Sequence, residues 1–85
     1  MKSEELKRRY HWQCRRGLLE VDIVLNDYLE RIFDSESEPR QLLFGRLLEE
    51  QDADLFEWFT RRSVPEDQEL RDYVDHMLIR LGRPD

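Results

Sequence analysis

Cysteine is almost absent from this sequence, since Cys14 is the only one among 85 residues. A single cysteine excludes an internal disulfide and a zinc site built from several thiolates. It is compatible with a reducing compartment without establishing one. We expect Cys14 to be a small buried apolar residue rather than a reactive thiol, because free cysteines are among the most buried residue types.

The sequence also lacks long apolar runs. No stretch approaches the roughly 18 consecutive apolar residues of a membrane-spanning helix. The first five residues, MKSEE, have neither the apolar run of a secretory signal nor the acid-poor composition of a mitochondrial transit peptide. The sequence therefore predicts a cytoplasmic protein that does not insert into a membrane.

Cations are in the minority, with 14 lysines and arginines against 20 acidic residues and a formal net charge of −6. Residues 1–17 carry a net +4, which leaves −10 for residues 18–85. Contacts with phosphates require a basic field, so this acidic remainder argues against a nucleic-acid partner. The basic start of the chain is suited to attract an acidic protein surface.

The residues needed for catalysis or cofactor binding are equally sparse. The three glycines form no phosphate-binding loop, and the two histidines, His11 and His76, stand far apart without the spacing of metal ligands. No serine or cysteine has the neighbours of an activated nucleophile. We expect a protein that is not an enzyme and that has no metal or cofactor of its own.

What the sequence does contain is helical periodicity, without the alternation typical of strands. It predicts an all-α fold, a single domain over residues 1–85 built as a small bundle of about five short helices. The helices are expected over 3–14 and 18–33, from Pro39, after Asp52 and after Ser63, with Pro65 inside the first turn of the last helix. Ser3, Asp52 and a capping box from Ser63 to Glu66 are the predicted starts. Each predicted helix has a set of inward-facing apolar residues. From the first helix to the fifth, these sets are Leu6, Tyr10, Cys14; Leu18, Val21, Leu25, Tyr28, Leu29, Ile32; Leu42, Leu43, Phe44, Leu47, Leu48; Leu55, Phe56, Trp58, Phe59; and Leu70, Tyr73, Val74, Met77, Leu78, Leu81. Gly45 is expected to permit a close contact between helices.

Between the first two helices lies the unusual stretch RRGLLEVD, residues 15–22. Gly17 suits the positive φ that often ends a helix. Cations before the joint and acids after it also match the helix dipoles, so a purely structural role is an open alternative. Asp22 borders the apolar stripe and is expected to brace the joint. Glu20 lies about 160° away from Asp22 around the helix, where the core has no use for it.

Two segments resemble a known family, the succinate dehydrogenase assembly factors. WQCRRGLLEVD, residues 12–22, resembles the family's R-R-G-x-x-E-x-D signature, and residues 47–59 resemble its later L-L-x-x-x-D-x-D-L-x-x-W pattern. The resemblance implies a small helical protein that binds the flavoprotein subunit of succinate dehydrogenase, and in bacteria that of fumarate reductase. It implies that the protein promotes covalent attachment of FAD to that client.

The resemblance also implies a partner-binding surface. Its centre is expected at Arg16, Gly17 and Glu20, with Asp22 holding the joint rigid. The residues expected to extend it are Arg15, Trp12, His11 and Arg9. Two other functions stay open from the residues alone: an antitoxin-like or adaptor protein that regulates a protein partner, and a domain that itself binds FAD with Trp12 stacked on the ring.

Overall fold

Five α-helices account for most of residues 3–83, the part of the chain that this computed structural model describes. They are α1 (Ser3–Gln13), α2 (Leu19–Arg31), α3 (Glu38–Leu47), α4 (Asp52–Phe59) and α5 (Gln68–Arg80), with a 3-10 turn (Phe33–Ser35) after α2. No strand occurs within those residues, so the predicted all-α class and helix number are confirmed. The side chain of Ser3 and residues 84–85 lie outside the described part, which leaves the predicted Ser3 cap outside it as well.

The helices are held by one apolar core to which α1, α2, α3, α4 and α5 all contribute. At its centre is Tyr28, whose ring lies 5.1 Å from that of Phe44 and 6.1 Å from that of Tyr73, centroid to centroid. Tyr10 and Phe33 pack edge-on against the same cluster. Offset and edge-to-face aromatic pairs contribute about 0.5–1.5 kcal/mol each beyond their buried area. The aromatic cluster therefore fixes how α1, α2 and α3 meet.

Helix α2 is shorter than the sequence predicts, and its start is different. Leu18 is not part of the buried stripe: it precedes the helix in an extended conformation and is 36% exposed. Val24, which the stripe omitted, is buried at 2% exposure. The remaining predicted positions are buried as expected; they are Val21, Leu25, Tyr28, Leu29 and Ile32.

Helix α3 buries Phe44, Leu47 and Leu48 as predicted, with Leu43 partly buried against the core, but it leaves Leu42 exposed. Leu42 is 54% exposed, whereas Phe44 and Leu47 are completely buried. The close contact expected at Gly45 is confirmed, because a Cβ at this position would overlap the phenol ring of Tyr10. Tyr10 is itself packed edge-on against Phe33 and Phe44, so moving its ring would disturb both aromatic contacts.

Two predicted helix starts are wrong. Helix α4 is preceded by Gln51 in an extended conformation, and Asp52 is its first residue rather than its cap. The cap of helix α5 lies four residues after the expected one, at Asp67 instead of Ser63, because Asp67 accepts the backbone N–H of Leu70 at 2.9 Å. Within α4, Leu55 and Phe59 are buried while Phe56 and Trp58 stay partly exposed.

The 3-10 turn is tied to α5 through a buried carboxylate. The Glu36 side chain is 1% exposed and accepts from the Tyr28 hydroxyl at 2.6 Å, with His76 Nε2 at 2.7 Å and Arg80 Nη1 at 3.3 Å. Burial alone would raise the pKa of Glu36, but the hydrogen bonds from Tyr28 and His76 and the charges of His76 and Arg80 outweigh it and lower the pKa. His76 is thus a partner in a structural polar cluster.

None of the described helices is both long enough and apolar enough to cross a membrane.

Candidate functional site

Residues 14–18 form the turn between α1 and α2 and contain the predicted recognition motif. Gly17 has a φ of +86°, in the left-handed region that residues with a Cβ rarely adopt. A Cβ built on Gly17 would meet nothing within 4 Å. Backbone conformation, rather than lack of space, therefore requires glycine here, and the predicted positive φ is confirmed.

Asp22 holds this turn in place from the first turn of α2. Its carboxylate accepts the backbone N–H of Arg16 at 2.8 Å and that of Gly17 at 3.2 Å. Both N–H groups belong to residues outside any helix, so they have no helical partner of their own. Asp22 therefore braces the joint, as expected from its place beside the apolar stripe.

Arg16, which is expected at the centre of the contact surface, is held largely within the fold. Its side chain is only 16% exposed and points at the segment between α3 and α4. Nε donates to Asp52 at 2.7 Å, Nη1 to the Leu48 carbonyl at 2.9 Å and Nη2 to the Glu50 carbonyl at 2.6 Å. Those carbonyls stand at the end of α3, where backbone acceptors lack helical donors and the dipole is negative. Arg16 thus fastens the joint to the rest of the fold.

Three of the five fixed motif residues stay on the surface, and so do the two leucines between them, Leu18 and Leu19. Arg15, Gly17 and Glu20 are all exposed, as is Leu19 at 72%. Glu20 faces away from the core, as its helical spacing predicts. The accessible part of the motif is therefore one cation, a bare stretch of backbone, two leucines and one carboxylate, on a turn that Arg16 and Asp22 hold in place.

Glu20 also belongs to an apolar depression between α2 and α4, here called the α2–α4 groove. Its volume is about 210 Å³, and it is lined by Glu20, Val21, Ile23, Val24, Phe56, Phe59, Thr60 and Arg83. Val21, Val24 and Phe59 are buried and form its floor, whereas Ile23 is 46% exposed. Glu20 and Arg83 are exposed charged residues, so the groove has an acid and a cation at its mouth.

His11 and Trp12 lie in a second depression, between α1 and α2. It measures about 470 Å³ and is lined by Glu4, Lys7, Arg8, His11, Trp12, Leu29, Glu30 and Asp34. Trp12 is 73% exposed, which is unusual for so large an apolar ring. Lys7 is paired with Asp34 at 3.0 Å.

The eight predicted site residues are thus divided by the structure. Glu20 lies at the α2–α4 groove, His11 and Trp12 lie at the second depression, and exposed Arg9 lines neither. Ile23, Phe56 and Arg83 are further surface candidates that the sequence did not predict. A signal existed for Ile23, because an apolar residue outside the buried stripe, four residues after Leu19, extends an exposed apolar face.

Catalytic chemistry finds little support in the side chains. Burial raises the pKa of the Cys14 thiol to about 12, despite the nearby charge of Arg16. Cys14 is completely buried and stays protonated, as expected for an apolar core residue. Across residues 3–83, no group of three or more histidine, cysteine and acidic side chains is arranged to hold a metal ion.

The second depression does not fit FAD well. Its lining carries the carboxylates of Glu4, Glu30 and Asp34 but only two basic side chains, Lys7 and Arg8. The pyrophosphate of FAD is anionic and requires a positive environment. Since Lys7 already pairs with Asp34, stacking of a flavin on Trp12 would have to overcome this unfavourable charge.

Comparisons with known proteins all match this chain to proteins of one kind. A family described as the flavinator of succinate dehydrogenase matches residues 8–80. A protein of Pseudomonas aeruginosa named FAD assembly factor SdhE is 42% identical over 81 residues, covering 95% of this chain and 94% of the relative. Proteins of the same name from Idiomarina loihiensis (40% over 75 residues; 88% of this chain, 83% of the relative) and Yersinia pseudotuberculosis (44% over 68 residues; 80% and 77%) are also similar.

Proposed function

The chain belongs to the family of succinate dehydrogenase flavinators, and from this premise we propose that it binds the flavoprotein subunit of succinate dehydrogenase and promotes covalent attachment of FAD to it. The observation that supports this most is the exposed turn around Gly17 and Glu20, which lies within the matched residues. In this proposal the protein is an assembly factor and not an enzyme, and FAD belongs to the client.

The contact residues proposed are those that the fold leaves accessible. Glu20 supplies a carboxylate, Arg15 a cation, and Gly17 a stretch of backbone without a side chain, so a partner can approach closely. Arg16 and Asp22 act indirectly, by holding this turn in one geometry. His11, Trp12 and Arg9 extend the surface towards α1.

A surface of this kind assists the reaction by orientation. A rigid turn that docks on a mobile part of the flavoprotein favours the arrangement in which the client's own residue meets the flavin. Holding reacting groups in the correct geometry can contribute several kcal/mol to a barrier, roughly 7–11 kcal/mol in the best cases. Such help needs shape and charge but no nucleophile, which agrees with a protonated, buried Cys14.

Two finer features complete the proposal. We extend the client class to the flavoprotein of fumarate reductase, as the sequence resemblance implies. The cytoplasmic location stays a prediction of the sequence.

Flavinylation with purified components tests the proposal. The flavoprotein subunit of succinate dehydrogenase, produced without covalent flavin, is incubated with FAD in the presence or absence of this protein. In-gel flavin fluorescence after denaturation measures the covalent product. We expect a clear increase in rate or yield when the protein is present. An unchanged yield, with a toxin or other regulator recovered as the partner from native cells, would replace the proposal by the antitoxin-like or adaptor function.

A further inference from the structure

The α2–α4 groove is an apolar surface beside the recognition motif. The charged and backbone contacts proposed for the motif give this apolar surface no role. Ile23 is 46% exposed, and Leu19, one helical turn before it, is 72% exposed. Phe56 contributes a partly exposed ring from α4. Apolar side chains that share one exposed region next to charged residues are typical of protein contact sites.

Arg83 stands at the mouth of this groove because the end of α5 is tightly fixed. Gly82 adopts a φ of +78°, and the N–H of Arg83 bonds to the Leu78 carbonyl at 2.7 Å. Arg61 of the α4–α5 connection donates to the Arg83 carbonyl at 3.2 Å. These bonds place the backbone of Arg83 although it lies beyond residues 8–80, the stretch that the family matches.

The size of the groove indicates what it can hold. Its volume of about 210 Å³ is below the roughly 300–1,000 Å³ typical of small-molecule and cofactor sites. The floor of Val21, Val24 and Phe59 is apolar, and the hydroxyl of Thr60 in the lining already donates to the Phe56 carbonyl at 2.7 Å. The groove therefore suits one large apolar side chain of a protein.

We propose that the α2–α4 groove receives an apolar side chain of the flavoprotein, and that Glu20 and Arg83 select a segment in which a basic and an acidic group flank that side chain. This inference rests on the proposed function, since it names the contact that the flavoprotein makes. Glu20 belongs to both the exposed turn and the groove, so the two surfaces are continuous. The charges of opposite sign at the mouth fix the direction in which the segment lies.

A second copy of this chain is a less suitable occupant. The chain has a net charge of −6, so two copies repel each other at long range. A partner segment that brings its own basic group to Glu20 meets no such repulsion.

Binding of the unflavinylated flavoprotein subunit of succinate dehydrogenase, measured by calorimetry, tests the groove directly. Ile23→Asp is compared with Leu42→Asp, because Leu42 is 54% exposed and lines neither depression described above. The two residues hold corresponding positions, the fifth residue of α2 and of α3. We expect Ile23→Asp to weaken binding at least about tenfold, and Leu42→Asp to change it by less than about twofold. Arg83→Ala should weaken binding about threefold or more, as a charged contact at an interface rim.

Each other outcome has a distinct meaning. Equal affinity of the two aspartate variants, whether normal or weakened, would overturn the groove as a contact while leaving the proposed function intact. A wild-type dimer in sedimentation velocity that Ile23→Asp dissociates would assign the groove to a second copy and overturn the flavoprotein as its occupant. Failure of the wild-type protein to bind the flavoprotein would overturn the proposed function itself, and this inference with it.

Discussion

Arg16 and Arg15 are adjacent arginines with opposite surroundings, and their replacement by alanine separates support of the fold from contact with a partner. Arg16 is held by Asp52 and by the carbonyls of Leu48 and Glu50. Arg15 is exposed on the turn. We expect Arg16→Ala to destabilise the protein strongly and Arg15→Ala to leave its stability nearly unchanged.

The size of the effect follows from the three hydrogen bonds of the Arg16 guanidinium to residues 48–52, since its fourth, to the Gln13 carbonyl at 3.3 Å, is long and exposed. Hydrogen bonds to charged groups contribute about 1.5–3 kcal/mol each, and water can reach part of this site, so the lower value applies. Releasing the ordered arginine side chain returns about 2 kcal/mol of conformational entropy. About 2–3 kcal/mol of unfolding free energy should therefore be lost. For Arg15→Ala the expected change is within about 0.5 kcal/mol.

Urea denaturation followed by circular dichroism measures the difference. A domain of this size has an unfolding free energy on the order of 5 kcal/mol and loses about 1 kcal/mol per molar urea. The Arg16→Ala midpoint should fall by about 2–3 M, while that of Arg15→Ala should stay near the wild-type midpoint. Arg16→Lys should recover only part of the loss, because an ammonium cannot reproduce the guanidinium fork. Equal midpoints for the two alanine variants would show that the bonds of Arg16 contribute nothing to stability, and our account of the joint would be wrong.

Three further changes test other parts of the structure. Gly45→Ala should lower the unfolding free energy by about 1–3 kcal/mol despite the better helix propensity of alanine, because the added methyl group displaces Tyr10; a raised melting temperature would contradict this. Gly17→Val should lower the unfolding free energy by about 2 kcal/mol and Gly17→Asn by clearly less, since asparagine tolerates positive φ. Equal melting temperatures for the two variants would show that the backbone conformation does not require glycine here. Folding lowers the pKa of Glu36 below its ordinary value of 4.5, so the ionised carboxylate stabilises the folded protein at pH values above 4.5. This stabilisation is lost as the pH falls through the folded-state pKa. Glu36→Gln should therefore be less stable than wild type at pH 7, with the gap narrowing below about pH 4, and a gap independent of pH would refute the role of this charge.

The regular parts of the fold were predictable because helical periodicity depends only on neighbouring residues. Helix α5 shows this most clearly, since all five apolar positions predicted within it are buried, together with Leu81 just after it. Helix α3 shows where periodicity alone does not determine the buried face. Leu42, Leu43 and Phe44 are consecutive apolar residues, so periodicity allows more than one inward face, and packing against Tyr28 and Tyr10 selects Phe44.

Helix caps and side-chain direction were predicted less well, for a related reason. Ser63 and Asp67 are both suitable caps, and the choice depends on how the connection before α5 packs, including the burial of Pro65. The direction of Arg16 depends on the carbonyls of Leu48 and Glu50, which lie more than 30 residues further along the chain. Backbone carbonyls have no residue identity, so no sequence pattern marks them as partners. Glu20 and Gly17 were placed correctly because local helix geometry alone determines their exposure.

The central claim is that Glu20 serves the partner and not the fold, and flavinylation by Glu20→Ala tests it most directly. Glu38→Ala is the matched control, since Glu38 is also an exposed glutamate in the first turn of a helix. In-gel flavin fluorescence of the flavoprotein is measured for both variants beside their thermal melts. We predict that the unfolding free energy of both variants stays within about 0.5 kcal/mol of that of the wild type. Only Glu20→Ala should fail to promote covalent attachment of FAD. A normally folded Glu20→Ala that supports full flavinylation would contradict the account.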